Sequence, residues 1–132
     1  KWLQDIPIAQ DSSGIVPFVV PYVMEDFRAS AGWADVVTIA PWTMYEVYGD
    51  RQILSQLYPA MQKYVNYVQQ SAGDNYLWEG GSVFGDWLFY KPELKFWTEP
   101  DGHTDPDLIA TAFYAYSVSI LANTAEVLGE NE

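Results

Sequence analysis

Asp86 and Trp87 are the residues of this chain whose types and spacing are best suited to chemistry. They end the approach Gly80-Gly81-Ser82-Val83-Phe84-Gly85, just before Leu88. A carboxylate can accept hydrogen bonds from several hydroxyls, and an indole offers a flat apolar face with one polar edge. Side by side they suit a sugar ring. The glycines ahead of them permit positive φ and close backbone approach, so the loop can aim both side chains at a ligand. Gly32-Trp33-Ala34-Asp35 repeats the pairing of an indole with an aspartate. Trp33 and Trp87 both stand where the chain enters a helix or rims a loop.

Simpler roles account for the other candidates. At the mouth of a helix, Asp35 is stabilised by the macrodipole and can cap free N–H groups. Trp2, Trp42, Trp78 and Trp97 read as core packing. Glu79, Glu93 and Glu99 read as solvated loop carboxylates, and His103 as a surface residue near a turn. Asp105 and Asp107 fit helix capping and dipole effects.

Composition removes most other chemistries. The chain has no cysteine, so disulfides and thiolate metal sites are excluded. Its one histidine, His103, cannot make a histidine-based metal centre. No Gly-x-Ser-x-Gly elbow accompanies it for a Ser-His-Asp triad, and no Gly-x-x-x-x-Gly-Lys phosphate loop is present. The residues call for no metal and no cofactor. With 18 acidic against 6 basic residues, the net charge of −12 repels nucleic acid and anionic membrane surfaces alike. No uninterrupted apolar run approaches the roughly 20 residues of a spanning helix, and the N-terminus does not read as a signal peptide. A chain that is 49% hydrophobic can still bury a sizeable core.

The elements that must position these residues are helical. Residues 1–9 read as the last turns of a helix, with Trp2, Leu3, Ile6 and Ala9 near one face. A turn at Asp11-Ser12-Ser13-Gly14 and an extended connection over 15–24 follow. Residues 34–48 read as a helix apolar almost all round, hence buried, with a kink at Pro41; a strand over 36–40 is the competing reading. Gly49 stops that helix and Asp50 caps the next. Over 51–70, Ile53, Leu54, Leu57, Tyr58, Met61, Tyr64, Val65 and Val68 form one stripe, with a kink or break expected at Pro59. Residues 73–102 read as mostly loop, and a loop of that length is more often functional than accidental. Asp105-Pro106 starts a last helix, with the stripe Ile109, Phe113, Tyr116, Ile120 and Val127, and Gly129 ends it. The fold class is all-α, one domain by length, in helix pairs of alternating burial. An all-round apolar helix needs neighbours on every side, more than these helices provide.

The runs Gly14-Ile15-Val16-Pro17 to Val20-Pro21, Gly32-Trp33-Ala34-Asp35, Ala40-Pro41-Trp42, Tyr45, Tyr48-Gly49-Asp50, Tyr58-Pro59 and Met61 occur in order along the chain. With Gly85-Asp86-Trp87-Leu88 and the run from Leu108 to Ser117, they resemble bacterial α-L-rhamnosidases of glycoside hydrolase family 78. The resemblance implies part of an (α/α)6 barrel, with residues 34–48 as an inner helix, and makes residues 1–132 a single partial domain from its middle portion. It implies hydrolysis of terminal α-L-rhamnose from glycosides with inversion, by an acid and a base carboxylate roughly 6.5–9.5 Å apart. The family's acid glutamate would lie before Lys1 and its base glutamate beyond Glu132, so no catalytic residue is expected within these 132 positions.

Trp33 and Trp87 match tryptophans that line the family's rhamnose pocket, and Asp86 would support it by bonding hydroxyls or by positioning Trp87. The expected partner is a rhamnose-containing glycoside, with no nucleic acid, no membrane and no cofactor. Self-association through the apolar faces of residues 34–48 or 109–127 is a further expectation. A competing reading is a non-catalytic carbohydrate-binding or helical interaction module, and a third is an (α/α)6 glycosidase of different sugar preference.

Overall fold

The longest stripe in the sequence becomes the spine of the fold. In the computed structural model, which describes residues 1–23, 29–86 and 104–130, the four α-helices are α1 (Trp2–Ala9), α2 (Val36–Tyr48), α3 (Arg51–Ala72) and α4 (Pro106–Leu128). A short 3-10 turn, Gly73–Asn75, follows α3, and no strand occurs among the described residues. The helix reading of residues 36–40 therefore prevails over the strand.

Helix α3 buries Leu54, Leu57, Met61, Tyr64, Val65 and Val68 along one side, where burial of each large apolar side chain contributes about 1.5–3 kcal/mol. The helix starts as its sequence dictates. Gly49 ends α2 at φ 68, and the Asp50 carboxylate accepts the Ile53 N–H at 3.1 Å. The break expected at Pro59 does not occur, for α3 runs unbroken through 22 residues. Pro59 and Ser55, whose carbonyl loses its usual donor, are both exposed, so water can serve the freed oxygen.

Helices α1, α2 and α4 all pack against α3, and α2 also meets α4 and α1. Helix α2 begins at Val36 rather than at Ala34, after a turn, and continues through Pro41. It is only partly buried, as expected of an all-round apolar helix with too few neighbours among these residues. Val37, Thr38 and Pro41 are buried, but Val47 and Tyr48 are 64% and 73% exposed, because α1, α3 and α4 leave this end of it uncovered. In α1 the buried residue is Ile6, while Trp2 stays half exposed and donates its indole N–H to the Val20 carbonyl at 2.9 Å.

Helix α4 corrects the expected stripe. Its buried residues are Ala110, Tyr114, Ser117, Ile120 and Thr124, whereas Tyr116 is 51% exposed. The seam is turned by about one residue from Ile109, Phe113 and Tyr116, placing small and hydroxyl side chains between α4 and its neighbours. The limits of the helix match expectation. Asp105 accepts the Asp107 N–H at 2.9 Å, Pro106 opens the first turn, and Gly129 closes the last at φ 80. Helix α4 is also long and apolar enough, by length and composition alone, to cross a membrane. The expectation from sequence concerned a continuous apolar run, and Thr111, Ser117, Ser119, Asn123 and Thr124 interrupt this helix. Alanine, valine, isoleucine and leucine raise its mean hydropathy without forming one continuous run.

Candidate functional site

Two loops build the site, one entering α2 (residues 29–35) and one between α3 and α4 (residues 76–86). They bond to each other directly. The Ala31 N–H donates to the Gly81 carbonyl at 2.8 Å, and the Val83 N–H donates to Ser30 Oγ at 3.0 Å. Ser30 itself is fully buried. The second loop is also pinned to the start of α4. The Trp78 N–H donates to Thr111 Oγ1 at 3.1 Å, and the Gly80 N–H to Asp107 Oδ1 at 2.6 Å. Asp107 thus holds a loop in addition to any effect on the helix dipole.

Trp78 anchors that loop in the core. It is buried, as expected, and meets Tyr64 edge to face at a centroid separation of 6.5 Å. Gly81 packs against its indole so closely that a Cβ there would overlap the ring. Trp42 is half-buried, and Trp2 is more exposed than a core residue.

Trp33 projects from the first loop and is 41% exposed. Its ring lies on Phe84 from the second loop, with centroids 4.8 Å apart, and Phe84 meets Phe18 edge to face at 5.4 Å. Beside this cluster is an apolar hollow of about 480 Å³, lined by Trp2, Phe18, Val20, Gly32, Trp33 and Val36 among others. A concave apolar wall of this kind suits the C–H face of a ligand. The structure thus brings Trp33 beside the residue two before Asp86, a meeting through Phe84 that the sequence reading did not identify.

Asp86 Oδ2 accepts hydrogen bonds from Thr104 Oγ1 at 3.2 Å and the Thr104 N–H at 3.4 Å, tying the loop to the approach to α4. Trp87 lies outside the described residues, as do Trp97, Glu93, Glu99 and His103. Glu79 is exposed, as its solvated reading requires. Among the described residues no group of three His, Cys, Asp or Glu side chains could hold a metal ion.

Asp35 departs from its expected capping role. It stands at the N-cap of α2, but its backbone is already helical and its side chain makes no forward cap bond. The carboxyl turns back instead. Oδ2 accepts the Gly32 N–H at 2.8 Å, and Oδ1 lies 2.5 Å from Ser117 Oγ on α4. Ser117 Oγ is 2.8 Å from Thr38 Oγ1, which donates to the Asp35 carbonyl at 2.9 Å. Asp35, Thr38 and Ser117 are all buried. Burial pushes the Asp35 pKa above its usual value, against the opposing effect of its hydrogen bonds from Ser117 and Gly32. The buried Tyr64 hydroxyl faces this carboxyl without a hydrogen bond of good geometry; burial first and the neighbouring Asp35 second push the phenol well up. Little in the sequence signals this cluster, since Thr38 and Ser117 are each one of several hydroxyl residues in α2 and α4.

The family model for the bacterial alpha-L-rhamnosidase 6 hairpin glycosidase domain matches residues 1–132. The alpha-L-rhamnosidase of Formosa agariphila is 41% identical over 132 residues, all of this chain and 14% of that protein. The alpha-L-rhamnosidase of Alteromonas sp. (strain LOR) is 40% identical over 131 residues, 99% of this chain and 14% of that protein. Among solved structures, the Streptomyces avermitilis alpha-L-rhamnosidase complexed with L-rhamnose superimposes with a TM-score of 0.82 at 34% identity, covering 97% of this chain and 11% of that one. The native enzyme of Aspergillus terreus gives a TM-score of 0.82 at 26% identity, covering 98% of this chain and 15% of that one. The chain therefore spans about one-seventh of the length of the first two relatives.

Proposed function

Because the chain belongs to the bacterial α-L-rhamnosidase six-hairpin glycosidase domain family, we propose that it forms one partial domain of an α-L-rhamnosidase and supplies a wall of its sugar pocket. The observation that carries this reading is the family match over all 132 residues. Within it, Trp33 on Phe84 beside an apolar hollow is the local support. Rhamnose is a 6-deoxy sugar, so its methyl group and ring C–H face favour an apolar wall over a polar one. Trp33 and Trp87 take that role, and Asp86 supports the loop that carries Trp87.

The parent enzyme removes terminal α-L-rhamnose by an inverting reaction. One carboxylic acid protonates the leaving oxygen while a carboxylate across the ring activates water, at roughly 6.5–9.5 Å separation. Both groups come from parts of the parent outside these 132 residues. The present residues contribute binding and orientation, which act on the rate by holding the sugar where that pair can reach it.

Assay with an aryl α-L-rhamnoside tests this division of labour. The parent turns it over and the 132-residue chain alone does not. Turnover by the chain alone at the parent's rate would overturn the proposal. Tight binding of L-rhamnose by the chain alone, lost in Trp33→Ala, would instead favour a self-sufficient binding module.

A further inference from the structure

Ser30 serves both loops of the site at once. Its carbonyl accepts the Trp33 N–H at 3.1 Å and the Ala34 N–H at 2.9 Å, which sets the turn that carries the Trp33 ring. Its hydroxyl reaches the other loop, where Oγ accepts the Val83 N–H at 3.0 Å. The Ala31 carbonyl lies 3.4 Å from the same Oγ, farther than an O–H···O bond prefers, so the bond from Val83 is the closer one. Ala29 and Ala31 on either side are buried as Ser30 is, and Ser30 differs from them by the acceptor it presents. A hydroxyl in such surroundings is costly to bury unless it is bonded.

Val83 precedes Phe84, the ring on which Trp33 lies. The N–H that follows Phe84, that of Gly85, donates to Ser82 Oγ at 3.0 Å. Serine hydroxyls therefore pin the backbone on both sides of Phe84, one from its own loop and one from the loop of Trp33. The bond from Ala31 to Gly81 runs between backbone groups and holds the loops together at a point two residues before Val83. The Ser30 hydroxyl adds a second point, next to Phe84 itself.

We infer that Ser30 is a positioning residue for Trp33: by fixing Val83, its hydroxyl seats Phe84 against the Trp33 indole and so sets how the indole borders the apolar hollow. Trp33 hangs from the Ser30 carbonyl and Phe84 from the Ser30 hydroxyl, so one buried residue sets the position of both rings. Its link to sugar binding rests on the pocket-wall reading; its hold on the Trp33 ring does not.

Kinetics of the parent enzyme carrying Ser30→Ala test the role. KM for an aryl α-L-rhamnoside is expected to rise by about 3- to 10-fold, the scale of one lost hydrogen bond, with kcat changed less. In a Trp33→Ala background the same substitution adds nothing to KM, because Ser30 acts through that ring. An equal rise in both backgrounds overturns the inference and makes Ser30 a support of the fold at large. An unchanged KM in Ser30→Ala, beside an impaired Trp33→Ala, overturns it too. Should the alanine variant fail to fold, Ser30→Cys takes its place in each arm, since it keeps the volume and weakens the acceptor. Fluorine NMR of the parent, with fluorotryptophan at position 33 alone, reads the ring without any sugar. Its signal moves in the Ser30 variant, and an unmoved signal overturns the inference. An unchanged KM in Trp33→Ala itself refutes the pocket wall, and the fluorine signal then decides the role of Ser30.

Discussion

The Trp33 ring rests on Phe84, centroids 4.8 Å apart and planes inclined at 44°, so the mouth of α2 and the loop ahead of α4 meet through two aromatic side chains. Phe84 is in turn braced by Phe18. Removing the Trp33 indole takes away half of that contact and, in the proposed pocket, a surface for the sugar. In the parent, Trp33→Ala is expected to lower kcat/KM by about 10- to 100-fold, a loss of roughly 1.4–2.8 kcal/mol of transition-state stabilisation. Trp33→Phe retains most of the contact and loses less. Steady-state kinetics on an aryl α-L-rhamnoside measures both.

Trp87→Ala in the parent raises KM, lowers kcat or does both, if the wall extends to that residue. Kinetics indistinguishable from the unmodified enzyme would remove Trp87 from the pocket.

Gly81→Ala is expected to destabilise the fold by about 1–3 kcal/mol, the usual cost of overpacking, because its Cβ would overlap the buried Trp78 ring. Gly49→Ala provides the comparison. It meets no neighbour but sits at φ 68, so about 1 kcal/mol of backbone strain is its whole penalty. Urea unfolding followed by tryptophan fluorescence distinguishes them, with the Gly81 variant unfolding at the lower midpoint.

The raised pKa of Asp35 makes a signed contribution to stability. The folded chain holds this proton over a pH range in which the unfolded chain has released it. Stability from Asp35 is therefore fully present below the ordinary aspartate pKa and declines as pH rises through the folded value. The net charge of −12 adds a separate acid response as other carboxylates protonate. Subtracting the pH–stability curve of Asp35→Asn isolates the Asp35 part. A difference curve that rises with pH over this interval would contradict the shift.

Loss of the Asp50 cap in Asp50→Ala leaves the Ile53 N–H without its acceptor and costs about 1 kcal/mol. Thermal unfolding should show the lower midpoint, while Asp50→Ser recovers most of the loss.

Self-association is expected as well. Val47 and Tyr48 on α2, and Leu108 and Tyr116 on α4, leave apolar surface exposed. Sedimentation across a concentration series should show reversible growth in mass, and a monodisperse monomer throughout would contradict it.

Local chemistry made the helix limits legible. Gly49-Asp50 and Asp105-Pro106 act through their own backbone and side chains, and the structure places helix ends at both. The α3 stripe was legible because large apolar residues recur with one period. The α4 seam was not, since size and hydrophobicity point to Phe113 and Tyr116 while close approach of helices favours Ala110, Ser117 and Thr124. Trp33 could be singled out beside its aspartate, but its partner Phe84 depends on how two loops meet. The direction of the Asp35 side chain likewise depends on Ser117, far along the chain. Neither relationship leaves a local pattern in sequence.

The bonds from Ala31 to Gly81 and from Val83 to Ser30 join the two loops to one another across the gap between their helices. Heredity and engineering therefore meet the same constraint here. A transplant of either loop alone into a relative would arrive without its counterpart, so residues 29–35 and 76–86 must move together, onto an α4 that keeps Asp107, Thr111 and Ser117.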